Sequence, residues 1–84
     1  VTIPTLDEIH SAARRLDDYI GQTPLLPLHD HGRSINIFLT LENLQPIGAF
    51  KVRCTGNAML AASRNELRHG AYTANSGNAG LGLA

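Results

Sequence analysis

Apolar side chains return at helical spacing from the beginning of the chain. Leu6, Ile9, Ala13, Leu16 and Ile20 fall on one face, while Arg14, Arg15, Asp17 and Asp18 point elsewhere. Thr5-Leu6-Asp7-Glu8 has the form of a capping box, with two acids in the first turn, so an amphipathic helix starts here and is expected to end at Gly21. Thr23-Pro24-Leu25-Leu26-Pro27-Leu28 is an apolar run whose two prolines confine it to an edge strand or extended segment, and 29–34 is a polar loop. Ile35, Ile37, Leu39 and Leu41 alternate with Phe38 on the other side, which predicts a strand over 35–41 covered largely on both faces. The connection 42–48 carries the breakers Pro46 and Gly48. Helix-favouring residues then run from Ala49 to about Leu67, with Gly70 as a stop. Ala71-Tyr72-Thr73-Ala74 is a short strand candidate, and Asn75-Ser76-Gly77-Asn78 is a turn into a further helix. The order predicts an α/β unit with a parallel sheet, of which the chain holds the first part.

Composition narrows the class. Seven Lys plus Arg balance seven Asp plus Glu, so no basic surplus is available for nucleic acid or an anionic membrane. With 43% apolar and 17% charged residues the chain is of the globular type. Cys54 is the single cysteine, which excludes an internal disulfide and makes a reducing, cytoplasmic compartment the expectation. No apolar run approaches the roughly 20 residues of a membrane span. Val1 at one end and the uncapped apolar stretch Gly80-Leu81-Gly82-Leu83-Ala84 at the other suggest that 1–84 is the N-terminal segment of a larger domain.

Two places could carry chemistry. Lys51 is the only lysine, set after a Pro-x-Gly turn at a predicted helix start between Phe50 and Val52. Apolar neighbours and a helix N-terminus favour the neutral amine of a lysine, the form that condenses with a carbonyl. On position alone a surface lysine is the commoner outcome. The turn Asn75-Ser76-Gly77-Asn78 would aim backbone amides at one spot suited to a carboxylate or phosphate, although the same residues also make ordinary turns. The remaining features are weaker. His29-x-His31 with Asp30 is too small a set for a metal, Asp17-Asp18 is a solvated face, and Gly77-x-x-Gly80-x-Gly82 is out of order for a dinucleotide fingerprint. Cys54 reads as a small packing residue, and no metal site is expected.

In order along the chain, Thr23-Pro24-Leu25, Leu41-Glu42-Asn43-Leu44-Gln45-Pro46-Ile47-Gly48-Ala49-Phe50-Lys51-Val52-Arg53 and Ser76-Gly77-Asn78 resemble the fold-type-II pyridoxal-phosphate enzymes. That group contains threonine and serine dehydratases, serine racemase, threonine synthase and cysteine synthase. The resemblance implies an α/β fold with a parallel or mixed sheet flanked by helices, incomplete in this chain, and residues 1–84 as the opening segment of the catalytic domain. It implies pyridoxal 5'-phosphate as cofactor, with Lys51 forming the Schiff base, Phe50 beside the cofactor ring and Asn78 hydrogen-bonded to the ring's phenolic oxygen. Asn75, Ser76 and Gly77, with the amide of Ala79, would hold the substrate carboxylate.

The departures are specific. Ala49 stands where a serine is usual, Cys54-Thr55 where Gly-Ala is usual, and Ala79 where the dehydratases carry a histidine, so 76–84 looks more like the cysteine synthase version. The longer match, Gln45-Pro46 with Phe50-Lys51-x-Arg53, favours the dehydratase and racemase branch. The implied reaction is β-elimination from threonine or serine to a 2-oxo acid and ammonia, the freed Lys51 amine removing the Cα proton. Alternatives are β-replacement, racemisation with Ser76 as acid/base on the opposite face, or a non-catalytic α/β fragment. The complete enzyme is expected to be a cytoplasmic homo-oligomer that takes a small amino acid, with the cofactor's phosphate loop beyond Ala84.

Overall fold

The computed structural model describes residues 2–29, 32 and 35–84. Asp30 and His31 of the expected polar loop lie outside the described residues, so the His29-x-His31 reading does too.

Helix α1 spans Leu6–Leu16 and begins as expected. Glu8 N–H donates to Thr5 Oγ1 at 3.2 Å, and Thr5 N–H donates back to Glu8 Oε2 at 2.7 Å. The helix ends earlier than Gly21, because Tyr19 and Ile20 both turn their N–H groups onto Leu16 C=O, at 2.8 and 3.1 Å.

Strands β1 (Leu25–Pro27) and β2 (Phe38–Thr40) pair antiparallel, Leu25 opposite Thr40, Leu26 opposite Leu39 and Pro27 opposite Phe38. The expected parallel arrangement is therefore corrected for this pair. A parallel pairing needs a crossover of a dozen or more residues, usually a helix, and the short stretch 28–37 carries none among its described residues. The doubly covered strand over 35–41 is likewise corrected, since only 38–40 is strand and all three residues are exposed. Residues 71–74 form no strand, as no described strand lies alongside to pair with them.

A 3₁₀ turn, Glu42–Leu44, leads into α2 (Lys51–Ala61). The single helix expected over 49–67 is two. Ala62 and Ser63 are extended, and Ser63 opens α3 (Arg64–Leu67) with its own reciprocal cap to Glu66. Gly70, at φ +85°, stops that segment as expected. Helix α4 covers Asn78–Leu83.

The apolar core consists of Leu16, Ala49 and Val52, where α1 crosses α2. A Cβ on Gly56 would stand 3.2 Å from Leu16 Cδ2, so a hydrogen at position 56 lets the two helices approach. The chain exposes 7070 Å², whereas a compact chain of 9.0 kDa exposes roughly 4,900 Å². Its radius of gyration of 16.0 Å exceeds the about 12 Å of a compact domain this long. Burial alone thus holds little of this segment in place.

Polar bonds do more. Gln45 is 3% exposed, and its side-chain amide grips Gly21 twice: Gly21 N–H donates to Gln45 Oε1 at 2.9 Å, and Gln45 Nε2 donates to Gly21 C=O at 2.8 Å. Gln45→Ala in the full-length polypeptide should lower the free energy of unfolding by about 1–3 kcal/mol, seen as a lower urea midpoint with unchanged slope.

Candidate active site

The lysine motif is delivered by a turn. Gly48 N–H donates to Gln45 C=O at 2.8 Å, closing Gln45-Pro46-Ile47-Gly48, and Gly48 sits at φ +74°, which a side chain would disfavour. Ala49 and Val52 are buried and seat the beginning of α2 on α1, leaving Phe50 57% exposed and Lys51 half-buried between them. Lys51 is the first residue of α2, and its Nζ lies 5.0 Å from the centroid of the Phe50 ring. Its carbonyl accepts from Thr55 Oγ1 at 2.7 Å and from Cys54 Sγ at 3.4 Å. Cys54 is exposed and bonds along the helix, in place of the packing role expected of it.

The second motif leads into α4. Asn75 Oδ1 accepts from Gly77 N–H at 2.7 Å, and Gly77 is the residue before the helix at φ +144°, a conformation that favours glycine. Ser76 and Asn78 are exposed and Ala79 is half-buried. The Asn75 side chain lies over Gly80, where a Cβ would stand 3.1 Å from Asn75 Oδ1.

The helices that follow the two motifs pack on each other. Helix α4 packs on α2, and a Cβ on Gly82 would overlap Thr55 Oγ1 and stand 3.2 Å from Lys51 C=O. At 1.5 Å rise per residue Asn78 lies only about 6 Å along α4 from that contact. Gly82 thus serves as the spacer that lets α4, which begins at Asn78, pack against α2.

A third group was not foreseen as functional. Glu42 accepts from Arg53 Nε at 2.7 Å, Arg53 Nη2 at 2.9 Å and Thr23 Oγ1 at 2.9 Å. The Arg53 hydrogen bonds, chiefly, hold the Glu42 carboxyl down from its ordinary 4.5 to about 2, with smaller help from Thr23 and Gln45 against partial desolvation. Arg53 is raised in turn by the same hydrogen bonds. Glu42-x-x-Gln45-Pro46 marks the resemblance, but its spacing gives no hint that the acid closes on Arg53.

A shallow cleft of about 290 Å³ lies between the end of α1 and Arg53, lined by Leu16, Asp17, Ile20 and Gly21 among others. Neither Lys51 nor the 75–79 bend borders it, so the chemistry expected of those residues is not placed in this cleft. Among the described residues no cluster of His, Cys, Asp and Glu could hold a metal, and no helix is long and apolar enough to cross a membrane.

Residues 16–84 match the family described as pyridoxal-phosphate dependent enzyme. The chain belongs to the pyridoxal-phosphate dependent enzyme family. It is similar to a serine racemase of Dictyostelium discoideum, 36% identical over 95% of this chain and 25% of that protein. It is also similar to a serine racemase of Schizosaccharomyces pombe, 30% identical over 100% of this chain and 27% of that protein. An L-threonine ammonia-lyase of Geobacter sulfurreducens is 36% identical over 90% of this chain and 19% of its own length. The chain thus spans about a quarter or less of the curated relatives it matches. No solved structure matches significantly. Membership of a pyridoxal-phosphate family agrees with the cofactor and the dehydratase and racemase branch expected from the motifs, and implies the family's α/β fold.

The donor set fits that cofactor. Its aldehyde requires a primary amine, which Lys51 alone supplies as a side chain, and its flat ring suits the flank offered by Phe50.

Two outcomes follow from this geometry. Gly82→Ala should push α4 off the first turn of α2 at a cost of about 1–3 kcal/mol, read as a lower thermal midpoint of the full-length polypeptide. Because folding lowers the Glu42 pKa, the stability it contributes is complete above 4.5 and drains away as pH falls through about 2. The gap in urea midpoint between wild type and Glu42→Gln should therefore be constant near neutrality, shrink below 4.5 and close at about 2.

Proposed function

We propose that this chain carries the amine-bearing part of a pyridoxal-phosphate lyase that converts a hydroxy amino acid such as threonine or serine to a 2-oxo acid and ammonia. The observation supporting it is the packing of α4, which follows the Ser-Gly-Asn bend, against α2, which begins at Lys51. When bound, the cofactor supplies the electron sink that acidifies the Cα–H of an attached amino acid. Lys51 would hold the cofactor through Nζ, and its free amine would take the Cα proton. Phe50 would flank the ring. Asn78 would donate its amide to the ring's oxygen. Asn75, Ser76 and the N–H of Ala79 would fix the substrate carboxylate, and with it the direction in which the Cα–H bond points, whereas the Gly77 N–H is already given to Asn75 Oδ1 and is not free for it.

A second reading has its own support. Two of the similar proteins are serine racemases, and Ser76 is exposed with its hydroxyl uncommitted among the described residues. In a racemase Ser76 returns a proton to the face opposite Lys51.

The full-length polypeptide with pyridoxal phosphate should show a visible absorbance band, and borohydride should fix the cofactor's mass on the Lys51 peptide. L-threonine and L-serine should release 2-oxo acid, and Lys51→Ala should lower that rate by about a thousandfold or more. Appearance of D-serine, lost in Ser76→Ala while elimination persists, would establish the second reading. No label on Lys51 would overturn both and leave a non-catalytic fragment.

A further inference from the structure

Helix α2 starts without the device that usually fixes a helix start. Its N-cap is Phe50, which has no side chain able to accept a hydrogen bond, whereas α1 and α3 both begin in reciprocal capping boxes. Something else must set the rotation of α2 about its axis and hence the direction in which its first residue leaves. Arg53 is the third residue of α2, and its guanidinium meets Glu42 through two parallel bonds, from Nε at 2.7 Å and Nη2 at 2.9 Å. A two-bond fork defines orientation as well as distance, which a single-point ion pair does not. Glu42 is itself fixed by Thr23 Oγ1 at 2.9 Å, and Gln45, one turn on, is locked to Gly21. At about 100° per residue, positions 51 and 53 leave the helix on roughly opposite sides. An anchor at Arg53 thus acts on the side of the helix away from Lys51, while α4 packs along the Lys51–Thr55 side.

We propose that the Glu42–Arg53 fork, braced by Thr23 and Gln45, is the positioning element that sets where Lys51 presents its amine, an inference that rests on Lys51 being the cofactor lysine. Neither residue touches the reacting atoms. Their effect is on the frequency with which Nζ occupies its working position, so it belongs in the turnover and in the cofactor link and leaves substrate binding alone.

The test uses the full-length polypeptide loaded with pyridoxal phosphate, with Arg53→Lys and Glu42→Gln as variants. Arg53→Lys keeps the charge and removes the fork. Both variants should keep the wild-type far-ultraviolet circular dichroism. Both should show borohydride labelling of Lys51 slowed by about tenfold, a shifted pH profile of the visible band, and kcat lowered about tenfold with KM within about twofold. If the wild type labels Lys51 and a folded Arg53→Lys labels at the wild-type rate with the wild-type pH profile, the positioning role is overturned while the functional reading stands. Should Glu42→Gln fail to fold, Arg53→Lys decides, and failure of both to fold also overturns the proposal by making the pair purely structural. If the wild type does not label at Lys51, the functional reading has failed and the inference falls with it.

Discussion

One carboxylate gathers this segment. Glu42 accepts from Thr23, 19 positions earlier, and from Arg53, 11 positions later, while its neighbour Gln45 holds Gly21 at a separation of 24. An exposed ion pair by itself contributes little, because water competes for both charges and two long side chains lose freedom. Here the geometry differs in three respects. The arginine binds through a fork, the acid has a further donor from Thr23, and the acid's side chain is only 18% exposed against 44% for its partner. The carboxylate therefore stays ionised far into acid, and three stretches of chain share one fixed point.

The opposite constraint comes from missing side chains. Gly56 admits Leu16 from α1, and Gly82 admits the Thr55 and Lys51 turn to α4. Glycine inside a helix costs about 1 kcal/mol relative to alanine, so these positions weaken their helices in return for close approach. Thr55 illustrates the coupling: its hydroxyl bonds back to Lys51 C=O, and the same Oγ1 lies where any side chain at position 82 would collide. The Glu42 fork and the two glycine contacts hold α2 from three directions.

Local signals were legible and long-range ones were not. Thr5 with Glu8 announced a helix start, and Ser63-Arg64-Asn65-Glu66 carries the same form, overlooked because the surrounding residues all favour helix. Alternation over 35–41 identified a strand-forming stretch, but whether a strand is covered or exposed, parallel or antiparallel, depends on its neighbours. Lys51 and the 75–79 bend were legible through family motifs, since both combine a fixed backbone conformation with particular side chains. Glu42, Gln45 and Arg53 lay inside the quoted motif without a role, because their partners are brought together only by folding.

The balance between burial and directional bonding explains why such polar ties matter here. Leu6 and Ile9 on α1, Leu25, Phe38 and Leu39 on the sheet, and the aromatic residues Phe50 and Tyr72 all remain exposed. Hydrophobic burial is non-directional: it draws elements together and leaves rotation and register loosely set. A reacting amine tolerates little such freedom, because a misplacement of about 1 Å can cost two orders of magnitude in rate. In a segment whose buried apolar set is Leu16, Ala49 and Val52, hydrogen bonds of defined direction are what can hold the first turn of α2 in one orientation. Those bonds reach α2 at Arg53, on the side away from Lys51, so the tie that orients the helix does not use the face on which Lys51 and Thr55 lie.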